Sequence, residues 1–151
     1  MTALRPFGSA CEVDEPGSLS PGPGFHWMLL RRHGRRPLAV MGRGLLRADN
    51  RCAGLRWFSD IAIYETASGR FAVCLRHVIP GTADPVWCDA WLCDGADAVR
   101  HAFGGHDPLT AWPPWSAGIA WTDEPEAGRF RGAWAGLLAA VFGRTADDGP
   151  A

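Results

Sequence analysis

Residues 56–105, RWFSDIAIYETASGRFAVCLRHVIPGTADPVWCDAWLCDGADAVRHAFGG, constrain the fold more than any other stretch of this chain. Trp57–Glu65 and Arg70–Val78 are rich in β-branched and aromatic residues and bounded by turn formers, the pattern of two strands. Thr66-Ala67-Ser68-Gly69 between them is a Gly-terminated link of hairpin length. With Glu65 set opposite Arg70, one face carries Ile61, Ile63, Ala72 and Cys74. The other carries Phe58, Ala62, Tyr64, Phe71, Val73 and Leu75. Both faces are then partly apolar, as in central strands covered on two sides. A slip of one residue would exchange these partners.

A third strand is expected at Val86–Cys93, where Val86, Cys88, Ala90 and Leu92 alternate against Trp87, Asp89, Trp91 and Cys93. Asp94 is placed to cap a following helix whose apolar stripe is Val99, Ala102 and Phe103, and Gly104-Gly105 ends it. Upstream, Trp27–Leu30 and Leu38–Met41 flank a basic turn at His33-Gly34 and read as a hairpin. Pro37 argues that its second strand starts at an edge, and Gly42-Arg43-Gly44 marks a bulge or bend before Leu45-Leu46. Downstream, Ala117–Trp121 has the look of a short strand. Thr122 or Asp123 is placed to cap a last helix carrying Phe130, Trp134, Leu137, Leu138 and Val141 on one face.

The expected architecture is therefore a single α+β domain: a mainly antiparallel sheet of about five strands with two helices packed on it. It spans residues 25–144. Residues 1–24, rich in Pro, Gly and Ser, are expected to form a disordered or loosely draped tail, and residues 145–151 a frayed C-terminal tail. A chain of 151 residues with 47% hydrophobic content is long enough to bury a core without staples.

Chemistry is harder to find. All 15 basic residues are Arg, which excludes Schiff-base, general-base and P-loop lysines. Five cysteines without framework spacing, and no basic-then-apolar leader in residues 1–24, point to a cytoplasmic protein with free, mostly buried thiols. No apolar run is long enough to span a membrane. Cys88, Cys93, His101 and His106 do not make a zinc site, because two cysteines five apart on a strand point to opposite faces. Cys74 and His77 fail in the same way, so core thiols and surface or loop imidazoles are expected. His106-Asp107 lacks the further ligands that a metal-dependent phosphohydrolase requires, and Asp107 before Pro108 is a turn former. Neither a nucleophile elbow nor a dinucleotide fingerprint is present. No catalytic residue, metal or cofactor is assigned.

The charge layout is what points to function. Residues 31–56 hold eight arginines against Asp49 alone, a local balance of +7 in a chain of net charge −1. Arg31, Arg32, Arg35, Arg36, Arg43 and Arg47 are the candidate partner-binding set, since guanidinium forks engage carboxylates and phosphates bidentately. The bland alternative is a solvated face neutralised by the chain's own acids, and the pI near 6.5 favours it. The expected function is a non-catalytic interaction protein docking an acidic partner, protein or nucleic acid, through this basic hairpin. An inhibitor of a host nucleic-acid-processing complex, carried by a phage or other mobile element, is one form it would take. Asp84, Asp89, Asp94 and Asp97 are then a candidate phosphate-mimicking cluster. The alternative expectation is a small-ligand binder or unfamiliar enzyme with a pocket near Trp112 and Trp115.

Overall fold

A computed structural model describes residues 13–14, 24–51, 55–82, 84–85, 87–109 and 124–143. Its centre is the run of three strands expected from the sequence: β4 (Phe58–Thr66), β5 (Phe71–Val78) and β6 (Trp87–Cys93), antiparallel neighbours in chain order. The hairpin β2 (His26–Leu30) and β3 (Leu38–Asp49) precedes them, and β3 pairs with β4. Helices α1 (Ala96–Gly104) and α2 (Glu124–Phe142) follow. The molecule is a single α+β domain with five antiparallel strands in a curled sheet.

Two differences from the expected sheet concern its edges. A sixth strand, β1 (Val13–Asp14), pairs in parallel with Ala39 and Val40 of β3, so the N-terminal stretch contributes backbone to the sheet. Strand β3 is also longer than expected, because its twelve residues serve two partners. The first half pairs with β2 and the second half with β4. Pro37 therefore precedes an interior strand instead of an edge, and sits just outside the ladder where its missing N–H costs no pairing. The bulge falls between Gly44 and Leu46, one step beyond the expected position.

The β4–β5 register is the largest correction. Glu65 pairs with Phe71 instead of Arg70. The cause is Thr66, which belongs to the strand and closes a three-residue loop. Its carbonyl accepts the Gly69 N–H at 3.0 Å, and Gly69 takes the left-handed φ of 84° that such a loop requires. That leaves the Arg70 N–H without its ladder acceptor, and Thr66 Oγ1 accepts it at 3.0 Å. Thr66→Val keeps the shape and removes that oxygen. It should destabilise the fold by about 1–2 kcal/mol, read as a lower midpoint in urea unfolding.

With this register Ile61, Ile63, Val73 and Leu75 share one face, and both helices cover it. Val99 and Phe103 of α1 and Trp134 and Leu137 of α2 complete that core. The α2 stripe is the one read from the sequence, with Phe142 added at its end, and Phe130 stacks on Trp57 at 4.1 Å between centroids. On the other face Ala72 and Ala90 pack against Leu30, Leu38 and Val40, because the hairpin curls over them. Two short-side-chain positions on the floor leave room for that close approach. Helix α1 is capped by Gly95, not Asp94, with no side-chain cap. The Asp94 carboxylate is taken by Arg70 Nε at 3.0 Å across the sheet end.

Candidate interaction surface

Seven residues join β2 to β3, and they carry Arg31, Arg32, Arg35 and Arg36 around Gly34, whose φ is 68°. This turn does not project. The His33 N–H donates to the Cys88 carbonyl at 2.7 Å, fastening the turn to the outer edge of β6. The arginines are thereby brought onto the acids of that edge. Asp89 holds Arg35 and lies 3.7 Å from Arg32 Nε, while Arg31 reaches Asp84 at 3.4 Å. Two members of the candidate acidic cluster are thus partners of the candidate basic set. Of the other two, Asp94 holds Arg70, and Asp97 lies exposed in the first turn of α1.

Further along β3, Arg43 donates to Glu65 through Nε at 2.8 Å and lies over the Phe25 ring at 5.0 Å. Arg47 donates to Asp60 at 2.9 Å. Arg51 stacks on Phe58 at 4.2 Å. Among the described residues the exposed large apolar side chains fall on the same hairpin: Trp27 at 43% exposure, Leu45 at 51% and Leu46 at 37%. The bulge explains the two leucines. An extra residue in β3 tips this end of the strand away from the core. Beyond Gly42, which pairs with His26, β2 offers β3 no further partner, so among the described residues β3 has no strand on that side from Arg43 onward.

Two groupings were not read from the sequence. The first is on the face of the sheet away from the helices. There Asp60, 6% exposed, accepts from both Arg47 and Arg76. Tyr64 lies close enough for both guanidiniums to favour its ionised form, yet burial, the larger influence, raises its hydroxyl above the usual range. Cys74 on the same face is pushed up to about 11 by burial. A cavity of about 330 Å³ opens here, lined by Gly44, Leu45, Leu46, Arg47, Ala62 and Tyr64.

The second grouping is a buried chain of polar groups under the helices. Ser59 Oγ and His77 Nδ1 lie 3.0 Å apart, and His77 Nε2 is 3.3 Å from His106 Nε2. Trp87 stacks on both imidazoles. His77 is fully buried, which corrects the expectation of surface or loop imidazoles. Burial lowers its pKa to about 3, and burial lowers that of His106 as well. Both rings are neutral at pH 7. The signal was present in the sequence, since His77 is in phase with Val73 and Leu75 on β5.

Chemically, Ser59 and His77 lie beyond the reach of a substrate, at 3% and 0% exposure. The described thiols Cys74, Cys88 and Cys93 are buried and raised, so they stay protonated and weakly nucleophilic at neutral pH. Cys88 and Cys93 do face opposite sides of β6, and among the described residues no three His, Cys, Asp or Glu side chains converge on a metal position. Asp107 accepts the Leu109 N–H at 3.0 Å, as a turn former would, and also holds Arg131. Trp112, Trp115, Cys11, Cys52, Val86, the strand expected at 117–121 and the cap at 122–123 lie outside the described residues. Among the described residues no helix is long and apolar enough to cross a membrane. No family model matches the chain, and no similar protein was found among curated sequences or solved structures.

Proposed function

We propose that this protein is a binding module that docks an acidic partner protein through the β2–β3 hairpin. The observation that carries this reading is the coincidence of Trp27, Leu45 and Leu46, all exposed, with Arg43 and Arg47 on one hairpin. Apolar anchors beside arginines are the composition of protein interface hot spots. The arginines' present partners do not block such a role. Arg31–Asp84, with side chains 68% and 84% exposed, and the half-exposed Arg43–Glu65 are surface pairs of little net stability. An incoming carboxylate can replace the internal one.

A protein partner is favoured over nucleic acid by the exposed Trp27, Leu45 and Leu46, apolar anchors of a protein interface, and the pairs add to this only in part. Glu65, Asp60, Asp84 and Asp89 each sit against an arginine and lower the positive potential that a phosphate backbone would need. Binding of a labelled poly-glutamate chain, a labelled duplex and a labelled single strand across a salt series tests the assignment. The expected result is poly-glutamate binding at low salt, weakened about tenfold by Arg43→Gln or Trp27→Ala, without competition from duplex. Tight duplex or single-strand binding with a steep salt slope would move the assignment to nucleic acid. Binding unchanged in both variants would remove the hairpin from the interface.

A further inference from the structure

The face of the sheet turned away from the helices carries a second, smaller site. We propose that the cavity bounded by Arg47 and Tyr64 binds a small molecule through one oxyanion group, a carboxylate or a phosphate. It lies on the opposite face of the sheet from Arg43, whose pairing with Glu65 puts it on the side of Ile61 and Ile63, and it shares only the Leu45–Arg47 end of β3 with the docking surface.

The charge balance is the first argument. Asp60 is nearly buried and accepts from Arg76 of the neighbouring strand as well as from Arg47. Its single negative charge is met by two guanidiniums, which leaves one positive charge over. The second argument is the supply of donors. Arg47 and Arg76 each reach Asp60 through Nη2, and among the described residues their other nitrogens have no hydrogen-bond acceptor. The Tyr64 hydroxyl likewise has no hydrogen-bond partner among the described residues. With Asp60 already occupied, the walls offer donors in excess of acceptors, and a neutral ligand would satisfy them less well than an anion. Arg47 Nε and Nη1 with the Tyr64 O–H would contact the oxyanion. Asp60 and Arg76 would hold Arg47 in place.

The third argument is shape. A volume of about 330 Å³ is at the small end of ligand pockets, and Leu45, Leu46 and Ala62 give it an apolar wall beside the donors. A side chain added at Gly44 would meet nothing within 4 Å, so the glycine leaves open space on the Tyr64 side of β3. A ligand with a short apolar body and one anionic end fits this arrangement.

The experiment is a backbone-amide NMR titration of the full chain with inorganic phosphate and, separately, with glutarate. Saturable shifts at Gly44, Arg47, Ala62 and Tyr64 are expected at millimolar concentration. A response to phosphate alone would assign a phosphorylated ligand, a response to glutarate alone a carboxylate, and a response to both the oxyanion class as stated. Tyr64→Phe removes only the hydroxyl and should weaken binding severalfold. Arg47→Gln, which leaves Asp60 paired with Arg76, should weaken it about tenfold. Gly44→Val should abolish it by filling the cavity, with every donor still present. Arg43→Gln should leave it unchanged, which separates this site from the Trp27 and Arg43 end of the docking surface. No saturable shift at these residues with either anion, or equal affinity in the Tyr64→Phe and Arg47→Gln chains, would overturn the site.

Discussion

Acidification from pH 6.5 to pH 5 should cost the fold about 1.6 kcal/mol through His77 alone, the slope approaching roughly 1.4 kcal/mol per pH unit once the unfolded imidazole is mostly protonated. The native ring titrates near pH 3, whereas in the unfolded chain it returns to about 6.5. Between those values the unfolded state binds a proton that the native state refuses, so acid favours unfolding. The contribution is complete above pH 6.5 and is lost as pH falls toward 3. His106 adds to it in the same direction, because burial lowers its pKa also. Among the described residues, the groups facing His77 supply no compensating charge. Ser59 and Trp87 are neutral, and His106 is held 3.3 Å away, where a second proton would repel the first. Urea unfolding at pH 7, 6 and 5 measures the slope before most carboxylates titrate. His77→Phe should lower stability at every pH, since Ser59 Oγ and His106 Nε2 lose a partner, and should flatten the slope. An unchanged slope in that variant would place the pH dependence elsewhere.

Phe103→Ala should destabilise the domain by about 3–5 kcal/mol, a large share of what holds a domain of this size together. Phe103 is fully buried on α1 and meets Trp134 edge-on at 6.2 Å and Phe142 at 5.9 Å, both on α2. It is therefore the side chain through which each helix packs on the other over Val73 and Leu75. Truncation leaves a cavity between three elements that cannot all close on it. Phe103→Leu, which retains most of the volume, should cost clearly less. A loss below 1 kcal/mol for alanine, on the order of a surface substitution, would mean that the helices are not coupled through this ring. Urea unfolding followed by tryptophan fluorescence reads the difference, with Trp134 as the nearest reporter.

The sequence was informative where spacing is periodic. Val99 and Phe103 on α1, and Phe130, Trp134 and Leu137 on α2, were legible because a helical stripe repeats over several turns. The alternation of β6 was equally plain. Where one residue decides between two outcomes, the pattern was silent. Whether Thr66 belongs to the strand or the loop shifts β5 by one residue and moves Val73 and Leu75 onto the face of Ile61 and Ile63. Both registers give apolar faces, so hydrophobicity alone cannot choose between them. Asp94 illustrates another limit. Its cap position was sound local chemistry, but Arg70 lies 24 residues earlier in the chain and takes the carboxylate.

The candidate site divided in the same way. The arginine count was visible, and the acids that meet it were visible, but not that Asp89 and Asp84 lie under Arg35 and Arg31. That pairing depends on the turn at Gly34 folding back onto β6 through the His33 N–H. An aspartate on a strand is ordinarily solvated, so nothing in the sequence marks Asp60 as buried. Its burial follows from the curl of the sheet, which places Arg47 and Arg76 on either side of it. His77 is in phase with Val73 and Leu75, which points to burial, against the expectation of a surface or loop imidazole.

Strands β2 to β6 each pair with their sequence neighbour, and only the two-residue β1 departs from that order. The chain can therefore assemble most of its sheet by successive short loop closures, each of low entropic cost, before any distant segment is recruited. Helix α2 is the exception, since Phe130 must find Trp57 some seventy residues back. Its docking is the long-range closure in the fold, and it completes a core whose sheet can already have formed.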